Sequence, residues 1–95
     1  MAVKIIIKRS IPPEKSGQLM PLFKKLRSLA MNQPGYISGE TLQNVDTPGE
    51  IVVISTWQTV DEWQRWVTHK ERLKIQSQID MLLDIKTEYT VYQYG

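Results

Sequence analysis

The 95-residue chain has no cysteine, one histidine and one phenylalanine. Lack of cysteine removes disulfides, thiolate nucleophiles, zinc ribbons and Cys-ligated iron–sulfur clusters together. A metal site would have to combine His69 with carboxylates, and no stretch has metal-ligand spacing, so no metal is expected. No apolar run approaches the ~20 residues that a bilayer helix needs, so no membrane span is expected. The N-terminal MAVKIIIKRS is too short for a signal-peptide core and is interrupted by a basic residue, which makes the cytoplasm the expected location. The five glycines are scattered, no phosphate-cradling loop is present, and no nucleophile-elbow sequence accompanies His69. A net charge of +2 is too small to imply a nucleic-acid or anionic-membrane partner.

What is present is the pattern of one domain over 1–95, with a stability margin on the order of 5–10 kcal/mol. VKIIIKRSI (3–11) reads as a strand, and Pro12-Pro13 breaks it. Leu19, Leu22, Phe23, Leu26, Leu29 and Ala30 recur at helical spacing, which predicts a helix over about 13–32 with a bend or late start at Pro21. Gln33-Pro34-Gly35 ends it. YISGETLQN and EIVVISTWQ, joined through Pro48-Gly49, read as a hairpin over 36–58. Thr59 precedes Glu62 by three residues, a capping-box spacing that opens a helix carrying Trp63 and Trp66. A further helix over about 70–83 is expected to turn Leu73, Ile75, Ile79, Leu82 and Leu83 inward, and KTEYTVYQY (86–94) reads as the last strand.

The order βαββαβ predicts an α+β, ferredoxin-like domain: a four-stranded antiparallel sheet with helices on one face, and the first and third strands central. Val52 and Ile54 then lie on one side of the third strand, with Ile51, Val53 and Trp57 on the other. Both faces are apolar, yet the chain has no third layer. A second copy packed sheet to sheet is the simplest cover, so a homodimer is expected. An RNA-recognition reading fails because EIVVISTW lacks the stacking aromatics and basic-Gly-aromatic pattern it needs. Trp63 is expected in the core. Trp66 stands near a helix break and can line a cavity. His69 falls where the helix restarts, so it either flanks or caps the new turn or faces that cavity.

QPGYISGETLQN, followed by VVISTWQTVDEWQRW, a second helical stretch and a final aromatic strand, resembles the antibiotic biosynthesis monooxygenase family over nearly the whole chain. Pro34-Gly35-Tyr36 and Trp57 are its most telling pieces. The resemblance implies a dimeric α+β barrel with a cavity between helices and sheet. Its members include cofactor-independent monooxygenases of aromatic polyketides or quinols, and haem-degrading monooxygenases. The haem-degrading branch pairs a first-strand asparagine with a tryptophan and a histidine ten residues later. Trp66 matches the tryptophan, but Gln76 stands at the ligand position and IIIKRS offers no asparagine.

A cofactor-free oxygenase must hold an aromatic ring, exclude water and favour the substrate anion, which itself supplies electrons to O₂. The expected parts are Trp66 as a flat wall and His69 as acceptor of a phenol proton, with Lys8 or Arg9 stabilising the anion. Trp57, Lys8, Gln76 and Phe23 are the expected substrate contacts. No cofactor is expected, and the partners are a small aromatic substrate, O₂ and a second copy of the chain. The competing reading is a non-catalytic domain that binds a small apolar ligand or haem, or serves only to dimerise.

Overall fold

In the computed structural model, which describes residues 1–94, the inward face of the sheet is set by strict alternation on its central strands. The first strand, β1 (Val3–Ser10), pairs antiparallel with both β3 (Glu50–Trp57) and β4 (Tyr89–Gln93), while β2 (Tyr36–Gln43) pairs with β3. The order across the sheet is β2-β3-β1-β4, so the two strands richest in Ile and Val are central. Register places Val3 opposite Trp57, Ile5 opposite Ser55, Ile7 opposite Val53 and Arg9 opposite Ile51. These are the residues under the helices; Lys4, Ile6 and Lys8 project from the opposite face.

Two residues in the left-handed region turn the chain at sheet corners. Gly49 (φ 107°) ends the β2–β3 connection, where Asn44 Oδ1 accepts from the backbone N–H groups of Asp46 and Thr47. Gly35 (φ 88°) precedes β2, and its carbonyl accepts from Gln58 N–H at 2.8 Å. A Cβ at Gly35 would come within 2.5 Å of the Glu62 side chain, so the glycine is required by space as well as by backbone conformation.

The helices are α1 (Ser16–Met31), α2 (Val60–Val67) and α3 (Lys70–Leu83). A 3-10 turn over Pro13–Lys15 precedes α1, so the α-helix proper starts late, and Pro21 sits within it on the exposed side. Thr59 caps α2: its Oγ1 accepts from Glu62 N–H at 3.1 Å and donates to Glu62 Oε1 at 3.1 Å. Thr59→Ala is therefore expected to cost about 1 kcal/mol, read as a shift in the urea midpoint, and Thr59→Ser only a few tenths. An unchanged midpoint in the alanine variant would show that the cap is redundant.

Packing divides into two buried clusters. Val3, Ile5, Trp57, Trp63 and Trp66 form one between sheet and α2. Leu19, Ile75 and Ile79 form the other between α1 and α3, with Phe23 against it. One expectation for α3 is corrected here. Leu73 is half exposed; the fully buried positions are Arg72, Ile75, Gln76 and Ile79, with Leu82 and Leu83 packed partly buried against them. Spacing i, i+3, i+4, i+7 defines one helix face, and two of its four members are polar. No helix among the described residues is long and apolar enough to cross a membrane.

Candidate functional site

Between α1, α3 and the inward face of the sheet lies a cavity of about 690 Å³. One end is aromatic. Trp57 is almost fully buried, and its ring lies over Trp66 at 6.4 Å between centroids with planes 23° apart. Tyr36 meets the Trp57 edge at 5.4 Å, and Trp57 Nε1–H donates to Ser55 Oγ at 3.1 Å. Trp63 makes an edge contact with Tyr89 at 5.1 Å. The middle is aliphatic, walled by Ile5, Ile7, Ile51 and Val53.

The other end is cationic, reaches the aromatic end through Tyr89, which both Trp63 and Arg72 contact, and was only half seen by sequence reasoning. Arg9 and Arg72 are 8% and 6% exposed, and both line the cavity. The Arg9 guanidinium lies 5.2 Å from the Phe23 ring centre, and Arg72 lies 5.9 Å from that of Tyr89. Arg9 Nη1–H donates to Thr87 Oγ1 at 3.0 Å, and Arg72 Nη1–H to the Val67 carbonyl at 2.9 Å. Gln76 and Thr87 link the two. Gln76 Nε2 donates to Thr87 Oγ1 and to Asp80 Oδ1, Thr87 donates to the same Asp80 oxygen, and Arg72 makes a long 3.5 Å contact with Gln76 Oε1. Burial pushes the Arg9 guanidinium below its ordinary pKa, Asp80 opposes the shift, and the nearby Arg72 charge adds to it. Arg72 is lowered by burial too, against Tyr89 and Asp80. A guanidinium stays charged despite such shifts, so this end of the cavity holds two cations in a nearly dry setting.

Of the residues expected at a site, Trp57, Trp66, Phe23 and Gln76 line this cavity together. Gln76 does so with both amide hydrogens committed to Asp80 and Thr87. Lys8 is placed elsewhere: it is exposed on the opposite sheet face, paired with Val52, and its neighbour Arg9 points inward instead. His69 also stands outside the cavity lining. It is the N-cap of α3, its Nδ1 accepts from Glu71 N–H at 3.2 Å, and its ring lies 5.8 Å from that of Trp66. Arg72 was missed. Its signal was a polar residue in phase with Ile75, Gln76 and Ile79 on one helix face.

Sheet topology, helices on one face and this cavity define an α+β, ferredoxin-like domain. The chain belongs to the antibiotic biosynthesis monooxygenase family, whose model matches residues 2–78. Among solved structures it is similar to a conserved protein from Methanosarcina mazei Go1, at TM-score 0.91 and 21% identity, covering 100% of this chain and 94% of that one. SnoaB, a cofactor-independent oxygenase from Streptomyces nogalater, matches at TM-score 0.85 and 16% identity over 98% of this chain and 92% of its own. Rv0793 from Mycobacterium tuberculosis matches at TM-score 0.86 and 18% identity over 100% and 96%. At these identities the likeness is one of fold. A search of curated protein sequences finds no match.

Proposed function

We propose that this chain is a small monooxygenase that oxidises a phenolic or quinol-type aromatic with O₂, without metal or flavin, and that it works as a homodimer. The observation that carries the reading is the 690 Å³ cavity with Trp57 and Trp66 at one end and cations at the other, in a chain of this family. For a phenol going to a quinone, the ring loses two hydrogens and gains one oxygen atom. The second oxygen of O₂ leaves as water, and all four electrons come from the substrate.

Each part of the cavity has a task in that reaction. The indoles hold a flat ring, and Ile5, Ile7, Ile51 and Val53 keep water from it. Arg9 and Arg72 stabilise the phenolate relative to the phenol, lowering its pKa in place. The phenol proton passes to solvent at the cavity opening as the ring enters, with no side chain needed to take it, and the anion then reduces O₂. This distribution of roles leaves His69 as a helix cap. The homodimer is supported by the opposite sheet face, where Ile6, Val52 and Ile54 are incompletely covered and Leu42 and Tyr92 are exposed.

An oxygen electrode with a panel of naphthols and quinols tests the reading. Uptake is expected to match quinone formation one for one, and Trp66→Ala is expected to lower it at least about tenfold by loosening the ring's position. His69→Asn removes the imidazole but keeps a good cap, and is expected to leave uptake unchanged. Loss of activity in His69→Asn would return the proton-accepting role to that residue. No uptake across the panel, with ligands still quenching tryptophan fluorescence, would instead favour a non-catalytic binding domain.

A further inference from the structure

We infer that the ligand of this cavity is an aromatic carboxylate, its fixed anion seated between Arg9 and Arg72 and its rings directed toward Trp57 and Trp66. The inference rests on the ring-binding reading above and narrows it to hydroxyaryl acids, whose carboxylate the two guanidiniums hold directly while their field, not their contact, favours the phenolate.

Charge distribution is the first argument. The whole chain is nearly balanced at +2, yet the cavity lining carries Arg9, Lys24, Arg27 and Arg72 against a single acid, Glu40. Lys24 and Arg27 lie on the exposed side of α1, where they draw an anion toward the opening. Pairing of the buried guanidiniums is incomplete as well. Arg9 has five donors, yet its one side-chain hydrogen bond among the described residues goes to the neutral Thr87 hydroxyl, and its buried Nε–H has no partner. Asp80, the carboxylate that acts on both guanidiniums, has its Oδ1 engaged by Gln76 and Thr87. Two buried cations facing one acid leave a net positive charge that costs folding free energy unless an anion neutralises it.

Stoichiometry selects the class of anion. Two guanidiniums and one aspartate are balanced by one further negative charge, and a carboxylate supplies it. Planarity agrees as well, because a guanidinium fork matches the two oxygens of a carboxylate. Along β1 the charge of Arg9 and the indoles stand apart, while Arg72 lies nearer to them, on the Tyr89 ring that meets Trp63. Arg9 lies six residues from Val3, the partner of Trp57, a span of roughly 20 Å along a strand.

Titration of tryptophan fluorescence with 2-naphthoate and with its neutral isostere 2-naphthamide tests this, without oxygen chemistry. The acid is expected to bind at least about tenfold more tightly. Arg9→Gln and Arg72→Gln are each expected to remove most of that preference, while the amide binds within about twofold of its original affinity. Equal binding of acid and amide overturns the inference, as does a preference that survives both substitutions, or no binding of either probe at millimolar concentration. Should a glutamine variant fail to fold, the unaltered protein's acid-over-amide ratio decides by itself. Acid-selective binding without oxygen uptake would remove the oxidation and leave this inference standing. Uptake of neutral quinols with no acid preference would do the reverse.

Discussion

Trp57→Ala is expected to lower the thermal unfolding midpoint by roughly 15–30 °C, the equivalent of about 3–5 kcal/mol in a domain of this size. Few side chains here have as much to lose. The indole is 1% exposed, lies over Trp66, meets Tyr36 edge-on and is tied to Ser55 through its N–H. It sits in the middle of the cluster formed by Val3, Ile5, Trp63 and Trp66. Truncation removes the transfer free energy of a large ring and opens a void beside an existing cavity, where the surroundings have little reason to collapse inward. Stability of a chain this short is on the order of 5–10 kcal/mol, so a large part of it would be gone. Trp57→Phe keeps an aromatic face over Trp66 and is expected to lose less than half as much. Scanning calorimetry at fixed protein concentration checks both, and a shift below about 5 °C for the alanine variant would mean that the indole is not central to the packing.

In the proposed sheet-to-sheet homodimer, Ile54→Lys is expected to leave only monomer at micromolar concentration, measured by sedimentation velocity. Ile54 lies on β3 opposite Ile6 and Glu40, on the sheet face away from the helices. In a two-fold sheet-to-sheet pairing every residue of the contact occurs twice, so one substitution buries two ammonium groups without partners. Folding of the single protomer should survive, because the inward face is untouched. Retention of near-native far-ultraviolet dichroism in the variant separates dissociation from unfolding. A wild-type protein that sediments as a monomer would remove the face-to-face arrangement, and a variant that still dimerises with unchanged affinity would place the contact on another surface.

The strand order and helix boundaries were legible because their signals are local. Pro12-Pro13, Pro34-Gly35 and Pro48-Gly49 mark breaks, Thr59 and Glu62 mark a cap, and the α3 span over 70–83 agrees with its observed bounds. The site was harder to read, for two physical reasons. Ile5, Ile6 and Ile7 make both faces of β1 look alike, so alternation could not say whether Lys8 or Arg9 points inward. Shifting by one residue on a strand reverses the face; register with Ile51 and Val53 settles the matter for Arg9. On α3 the apolar Leu73 outweighed its neighbour Arg72 in a reading based on hydrophobicity. The helix in fact buries the arginine and glutamine because Thr87, Asp80 and the Val67 carbonyl give their polar atoms partners. Thr87 comes from the segment before β4 and Val67 from the end of α2, which no helical period reveals; only Asp80, four residues on from Gln76, belongs to α3 itself. For His69 the two readings could not be separated by spacing, because a cap and a cavity wall can occupy the same point of a helix break.

The corner at Gly35 has a consequence for how freely this chain can drift. The space a side chain would need there is already filled by Glu62, and the same carboxylate is held by the Thr59 hydroxyl at the start of α2, the helix that carries Trp63 and Trp66. One added methyl group at a bend remote from the arginines would dislodge the glutamate and slacken the anchorage of the indole wall. Neutral variation is thereby closed off at a surface position where a loop would ordinarily tolerate it.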